Sequence, residues 1–391
     1  MDGERRRRGR RWWWWWWWSP ARLRIVFAAA GALLVFNLVV AAFGYAPRDT
    51  LGAAFAGTWG TAYGTGQVLF KATPLLLTGL AFHVALRCGL FNIGTEGQLA
   101  LGALVAGWLG PSVGAAFPPL LAVPLVVGAS VTTAAALGAL AGFMRARLGV
   151  HEIISGIMLN RCVDVFLPWV LVVGLGATAL RTDDIGAGAR LPGLEVWVPA
   201  FSGSAVSVAF PGAVVVTGVV YLWLERSVAG REMRWVGLSP TACGSQGVDV
   251  ARRRIQAMVL SGGLAGLVCA GTVLGYKGYY ELGLGAGAGF SGIAVAMVGR
   301  SGPVALVLAA LAFGTLAQAG LSINAQVPKE AMSVLEAVVI LLVAAAAGVT
   351  GGDGATRATP GDGAEKGDGD GAESGAAPLA RTRPVPSERV P

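Results

Sequence analysis

Asn92, Thr95, Glu96 and Gln98 crowd into the run LFNIGTEGQLA, between two apolar stretches of a chain that is 54% hydrophobic and 13% charged. Three hydrogen-bonding side chains and one carboxylate in such surroundings are the chemistry of a polar path through lipid. Gly94 and Gly97 flank the carboxylate and weaken any helix passing through it. A carboxylate at bilayer depth is costly unless it faces protein or water, and broken helices lining a cavity are one way transporters build substrate sites. The residues leave a second reading open, in which Glu96 sits at the cytoplasmic membrane surface and caps the next helix.

The elements that must position these groups are membrane helices. Mean hydropathy is +0.63, and charge-free windows of spanning length recur at 25–47, 97–144, 196–224, 255–276, 282–299 and 301–328. A spanning helix needs about 20 such residues. The 59 glycines suit close helix packing in lipid. The formal charge of +8 falls in particular loops, as the positive-inside rule requires, so nucleic acid is not an expected partner. Cys88, Cys162, Cys243 and Cys269 show no metal-ligand spacing and read as packing residues. His83 and His151 are too isolated for a metal site or triad; His83 reads as a helix residue, with a pore-lining role as the alternative.

The stretch from Thr73 to Gly110, TPLLLTGLAFHVALRCGLFNIGTEGQLALGALVAGWLG, resembles the membrane permease subunit of ABC importers. The resemblance is to the branch for nucleosides and simple sugars, related to ribose and branched-chain amino-acid permeases. Pro74, Leu75, Leu77 to Leu80, Arg87, Gly89 to Gly94, Glu96, Gly97 and Gln98 carry it. His151 to Asn160, HEIISGIMLN, is similar to the stretch opening the family's fifth helix. Asn160 reads equally as a substrate contact or an interhelical hydrogen bond, and Ser155 need not share its face. SGGLAGLVCAG from Ser261 and GFSGIAVAMVGR from Gly289 also resemble family segments; Ser291 stands where an Asp is common.

The loop from Glu225 to Arg254 holds six arginines against three acidic residues and is expected on the cytoplasmic side. Within it, Gly237, Ser239, Pro240, Ala242 and Gly247 match the family segment that docks on the ATPase subunit, while Gly244 and Ser245 depart from it. Ser239 or Thr241 with Pro240 makes a suitable helix start.

The expected architecture is an all-α polytopic membrane protein with about ten transmembrane helices, like a type II ABC importer permease, both termini cytoplasmic. Helices are placed at about 25–45, 72–86, up to 109, 120–143, up to 179, 204–224, 255–275, 289–299, 303–323 and 331–348, with an interfacial helix within 47–71. Residues 1–24, with six arginines between Arg5 and Arg11 and then Trp12 to Trp18, form a basic, Trp-rich cytoplasmic segment that is not expected to be a cleaved signal. Residues 25–349 are the permease domain, and 350–391 a polar cytoplasmic tail. Glu336 reads either as a path-lining carboxylate or as a hydrated one near the outer end of the last helix.

None of the four lysines, Lys71, Lys277, Lys329 and Lys366, lies in a phosphate-binding loop. The resemblance therefore implies a subunit without its own ATPase site or cofactor, with ATP used by a partner ATPase. It further implies a second permease subunit, identical or not, an extracytoplasmic substrate-binding lipoprotein, and a place in the bacterial cytoplasmic membrane. Asn92, Thr95, Glu96, Gln98, Ser155, Asn160 and Ser291 are the expected path residues and a nucleoside the expected cargo, with a simple sugar next. A secondary transporter using Glu96 and Glu336 as proton-linked carboxylates is the competing class.

Overall fold

The computed structural model describes residues 30–325 except 32 and 33, together with 334, 337 and 338. The segments expected at 1–24 and 350–391, the helix at 331–348 and Glu336 lie wholly or mostly outside the described residues. Regular structure among the described residues is helical, apart from two isolated bridges, Arg181 with Glu281 and Gly193 with Ser207.

Residues 34–42 form α1, and α2 is the short helix Pro47–Ala56, started by Pro47. The long helices are α3 (Ala62–Arg87), α4 (Thr95–Ala116), α5 (Pro119–Arg147) and α6 (Glu152–Trp169, continued by a π-helical turn to Gly174). They are followed by α7 (Ala209–Arg226), α10 (Val250–Gly266, extended as a π-helix over Ala270–Lys277) and α12 (Pro303–Ser322). Shorter helices are α8 (Val228–Leu238), α9 (Pro240–Ser245) and α11 (Ala288–Val298). Seven of these segments are long and apolar enough to cross a membrane.

Helix α3 begins ten residues before the expected start at 72, because Thr61 caps it by accepting from Gly64 N–H at 3.0 Å. Its early glycines are covered by tertiary packing, with Gly66 lying against Ser204. Lys71, which marks a boundary in the sequence, is therefore inside the helix. Helix α4 carries on through Pro111 to Ala116. Helix α6 stops short of 179, since Pro168 interrupts its bonding and a π turn closes it at Gly174.

The larger correction concerns 282–299. This charge-free window is not one continuous helix: α11 has 11 residues, about 16 Å at 1.5 Å per residue, against a hydrocarbon core of about 30 Å. The glycine-rich residues before it, with left-handed backbone at Gly283, Gly285 and Gly287, spend the rest of the window in turns.

Helices α3 and α10 form the centre: 78% of the most apolar stretch of each is buried, against 22% for α5 and α7, which leaves those two on the periphery. The α5–α10 contact is a backbone approach. A β-carbon on Gly262 would lie 2.5 Å from Ala134 O, and one on Gly138 would lie 2.3 Å from Met258 O. Gly262→Ala is expected to cost about 1–3 kcal/mol through overpacking, read as a lowered unfolding midpoint in detergent; an unchanged midpoint would contradict the packing described.

The arginine-bearing ends of these helices meet at one end of the bundle. Arg87 pairs with Glu225 at 3.0 Å, Arg145 with Glu152 at 3.0 Å and Arg253 with Glu232 at 2.5 Å. At the opposite end the segment 175–208 folds over α4 and α10. Thr182 N–H donates to Tyr280 O, Ile185 N–H to Gly278 O and Gly186 N–H to Gly110 O.

Candidate functional site

The polar residues around Glu96 hold an irregular piece of backbone between two membrane helices. Residues 88–94 leave α3 and enter α4 without helical bonding, and lipid cannot satisfy such groups. Asn92 is fully buried; its Nδ2 donates to Gln98 Oε1 at 2.9 Å and to Ser261 Oγ at 2.7 Å. Gln98 Nε2 returns a bond to Asn92 Oδ1 at 3.3 Å, and Ser261 Oγ donates to Ala81 O at 2.7 Å. One network thus joins α3, α4 and α10.

Asn160 reaches in from α6. Its Oδ1 accepts from Gly97 N–H at 2.9 Å, supplying a first-turn donor of α4 with the partner that the capping Gly94 has no side chain to provide. Its Nδ2 donates to Ile93 O at 3.0 Å. Of the two roles open for Asn160, the bonding observed is interhelical. Ser155 is buried and donates to Glu152 O at 3.2 Å within its own turn.

Glu96 caps a helix other than its own. Its carboxylate accepts from Gly287 N–H at 2.5 Å and from Gly289 N–H at 2.8 Å, at the N-terminus of α11. Free N–H groups and the positive end of the dipole favour a carboxylate there. Close by, Thr95 Oγ1 lies 3.4 Å from Gly289 O as a donor, and Thr78 Oγ1 donates to Ala288 O at 2.8 Å. A β-carbon on Gly289 would come within 2.6 Å of Glu96 N, so only glycine allows the half-helix to start against α4.

Above this junction a cavity of about 560 Å³ opens between α3, α10, α11 and α12. Its wall includes Lys71, Thr272, Tyr276, Gly287 and Ser291. Among the seven expected path residues, Ser291 alone lines it; Glu96 grips Gly287 in its wall, and the other five bond to one another or to backbone. Lys71, Thr272 and Tyr276 escaped the sequence reading. The signal for Lys71 is a lysine nine residues into an apolar helix, which shows only when the helix starts at Ala62.

At the arginine-rich end, α8 packs against the bundle through fully buried Met233 and Val236, and α9 follows it. Ser239 caps α9, its Oγ accepting from Ala242 N–H at 3.3 Å, with Pro240 in the first turn. Cys243 is buried, whereas Pro240, Thr241, Ala242 and Gly244 to Gly247 are exposed, beside Leu238, which is 79% exposed. Gly247 turns the chain with φ +81°. Gly237 sits directly on the end of α3: its β-carbon would meet Arg87 O at 2.4 Å. Gly237 thus lies against Cys88 and Gly89, where the irregular segment that carries Asn92 begins.

Long apolar helices, a half-helix starting inside the bundle and a cavity beside it define a multi-pass membrane permease. The chain belongs to the family described as "Branched-chain amino acid transport system / permease component", matched over residues 64–344. It is 34% identical to the guanosine ABC transporter permease protein NupP of Bacillus subtilis, over 82% of this chain and 90% of that protein. It is 31% identical to the nucleoside ABC transporter permease protein NupB of Lactococcus lactis, over 82% and 89%. Similarity extends to a glucose ABC transporter permease protein of Haloferax volcanii, 30% identical over 81% and 86%.

Proposed function

We propose that the chain is the membrane subunit of an ATP-driven importer and, with a second permease subunit, encloses the path of a nucleoside. The family match over 64–344 carries this reading, because it takes in both the 88–98 junction and the 225–254 excursion. Nucleoside is preferred as cargo because the relatives at 34% and 31% identity bear that name. The glucose permease at 30% keeps a simple sugar as the second reading. The arginine-rich end is cytoplasmic in this assignment, with about ten crossings and both termini inside. Residues 1–24 and 350–391 are cytoplasmic segments flanking the permease domain.

ATP binding and hydrolysis belong to a partner ATPase docked on Gly237, Ser239, Pro240, Ala242 and Gly247, and this chain contributes no ATPase site or cofactor. A lipoprotein delivers cargo to the outer face of the cytoplasmic membrane. Motion of α9 passes through Gly237 to the junction, where the Asn92–Gln98–Ser261 network and the Glu96 clasp move α10 and α11 together. The cavity bearing Lys71, Thr272 and Ser291 faces the path in this scheme, with Glu96 fixing its wall.

Replacing the nucleotide-binding lysine of the partner ATPase is expected to reduce uptake of labelled nucleoside by whole cells to background. Uptake that persists and follows an imposed proton gradient would replace the importer with the secondary transporter.

A further inference from the structure

A second cavity, of about 250 Å³, lies at the arginine-rich end between α3, α8 and the residue pair after α11. His83, Arg87, Arg234 and Arg300 line it, with Gly237 at its edge. His83 is only 4% exposed, and its ring is held by stacking on Tyr221, centroids 4.7 Å apart. Arg87 Nε donates to His83 Nε2 at 3.2 Å. Arginine has no acceptor, so the imidazole proton is on Nδ1, and this buried atom has no hydrogen-bond partner among the described residues. Arg234 Nε is buried and without a partner in the same way. Two unanswered donors on one cavity are uncommon, because buried polar groups are almost always paired.

The charges point the same way. Arg87 and Arg234 share one carboxylate, Glu225, and Arg300 has no ion pair among the described residues. Three guanidinium groups thus face one anion. These groups stand on three separate elements around one cavity, and the oxygens of a tetrahedral phosphate can accept from all of them.

We propose that this cavity binds a phosphate group carried on an organic substituent, with His83 Nδ1, Arg234 and Arg300 as its donors. The proposal does not depend on the identity of the cargo. A bound phosphate ties α8 to α3 and to the end of α11, so it acts on the elements between the ATPase face and the cavity above. Its source is either an anionic phospholipid headgroup of the adjoining leaflet or a soluble phosphate ester; phosphatidylcholine, whose phosphate is neutralised by its own ammonium group, serves as the blank.

The test uses the assembled transporter in nanodiscs and reads its thermal unfolding midpoint. In one arm, glycerol 3-phosphate is titrated into phosphatidylcholine discs; in the other, phosphatidylglycerol replaces phosphatidylcholine in steps. A saturable rise in the first arm assigns a soluble ester, and a rise in the second alone assigns the lipid headgroup. In the responding arm, Arg300→Gln and His83→Phe, which keeps the ring stack, should raise the half-saturating amount about tenfold. Arg147→Gln, on the exposed end of α5, should leave it unchanged. A flat response in both arms, or variants that match the unaltered protein, overturns the site.

Discussion

Glu96→Ala is expected to lower uptake at least tenfold while the protein still inserts and can be purified at a normal level. The substitution strips the partners from Gly287 and Gly289 at the start of α11. Each lost bond to a charged group is worth about 1.5–3 kcal/mol, and tenfold in rate or population needs only about 1.4 kcal/mol. The half-helix is short and its lead-in is glycine-rich, so the loss falls on its position rather than on the bundle built by α3, α5 and α10. Glu96→Gln retains acceptor oxygen but no charge and should fall between the two. Labelling of a cysteine placed at Ala286, which lines the large cavity, should rise in the Ala variant. Unchanged uptake and unchanged labelling would remove the clasp from the transport mechanism.

Ala242→Asp should abolish cargo-stimulated ATP hydrolysis and weaken capture of the ATPase by at least tenfold, with the permease itself as stable as before. Ala242 is exposed on α9, so the added carboxylate is hydrated in the free subunit and becomes costly only when an ATPase surface covers it. Neighbouring Cys243 is unsuitable for the same test because it is buried, and a charge there would disturb the fold directly. Full capture and full hydrolysis by the Ala242→Asp variant would move the docking surface elsewhere.

These expectations rest on parts of the chain that differ in how readily sequence discloses them. Hydropathy over about 20 residues is a local property fixed by the bilayer, so the spans of α4, α5, α7, α10 and α12 were legible to within several residues. Arginine placement was legible for the same reason, since each loop is sorted by its own charge. The start of α9 could be read from Ser239 and Pro240 because capping is settled within one turn.

The pairing of polar groups was not legible. Glu96 bonds to backbone 191 and 193 residues away, and Asn160 to backbone 63 and 67 residues away. No periodicity or propensity encodes which distant N–H a carboxylate will meet. The window at 282–299 reads as one spanning helix because hydropathy measures apolarity and not backbone path. Glycines at positive φ used its length in turns, and a half-helix remained.

By itself the sequence determined that this is a multi-pass membrane chain of the permease family, with a polar junction near residue 96 and an excursion near residue 240. Only the tertiary structure decided what the junction does. In a medium that cannot answer a free N–H or a buried carboxylate, each such group must find its partner within the protein, and close packing of α3, α4, α6, α10 and α11 settles which one it finds.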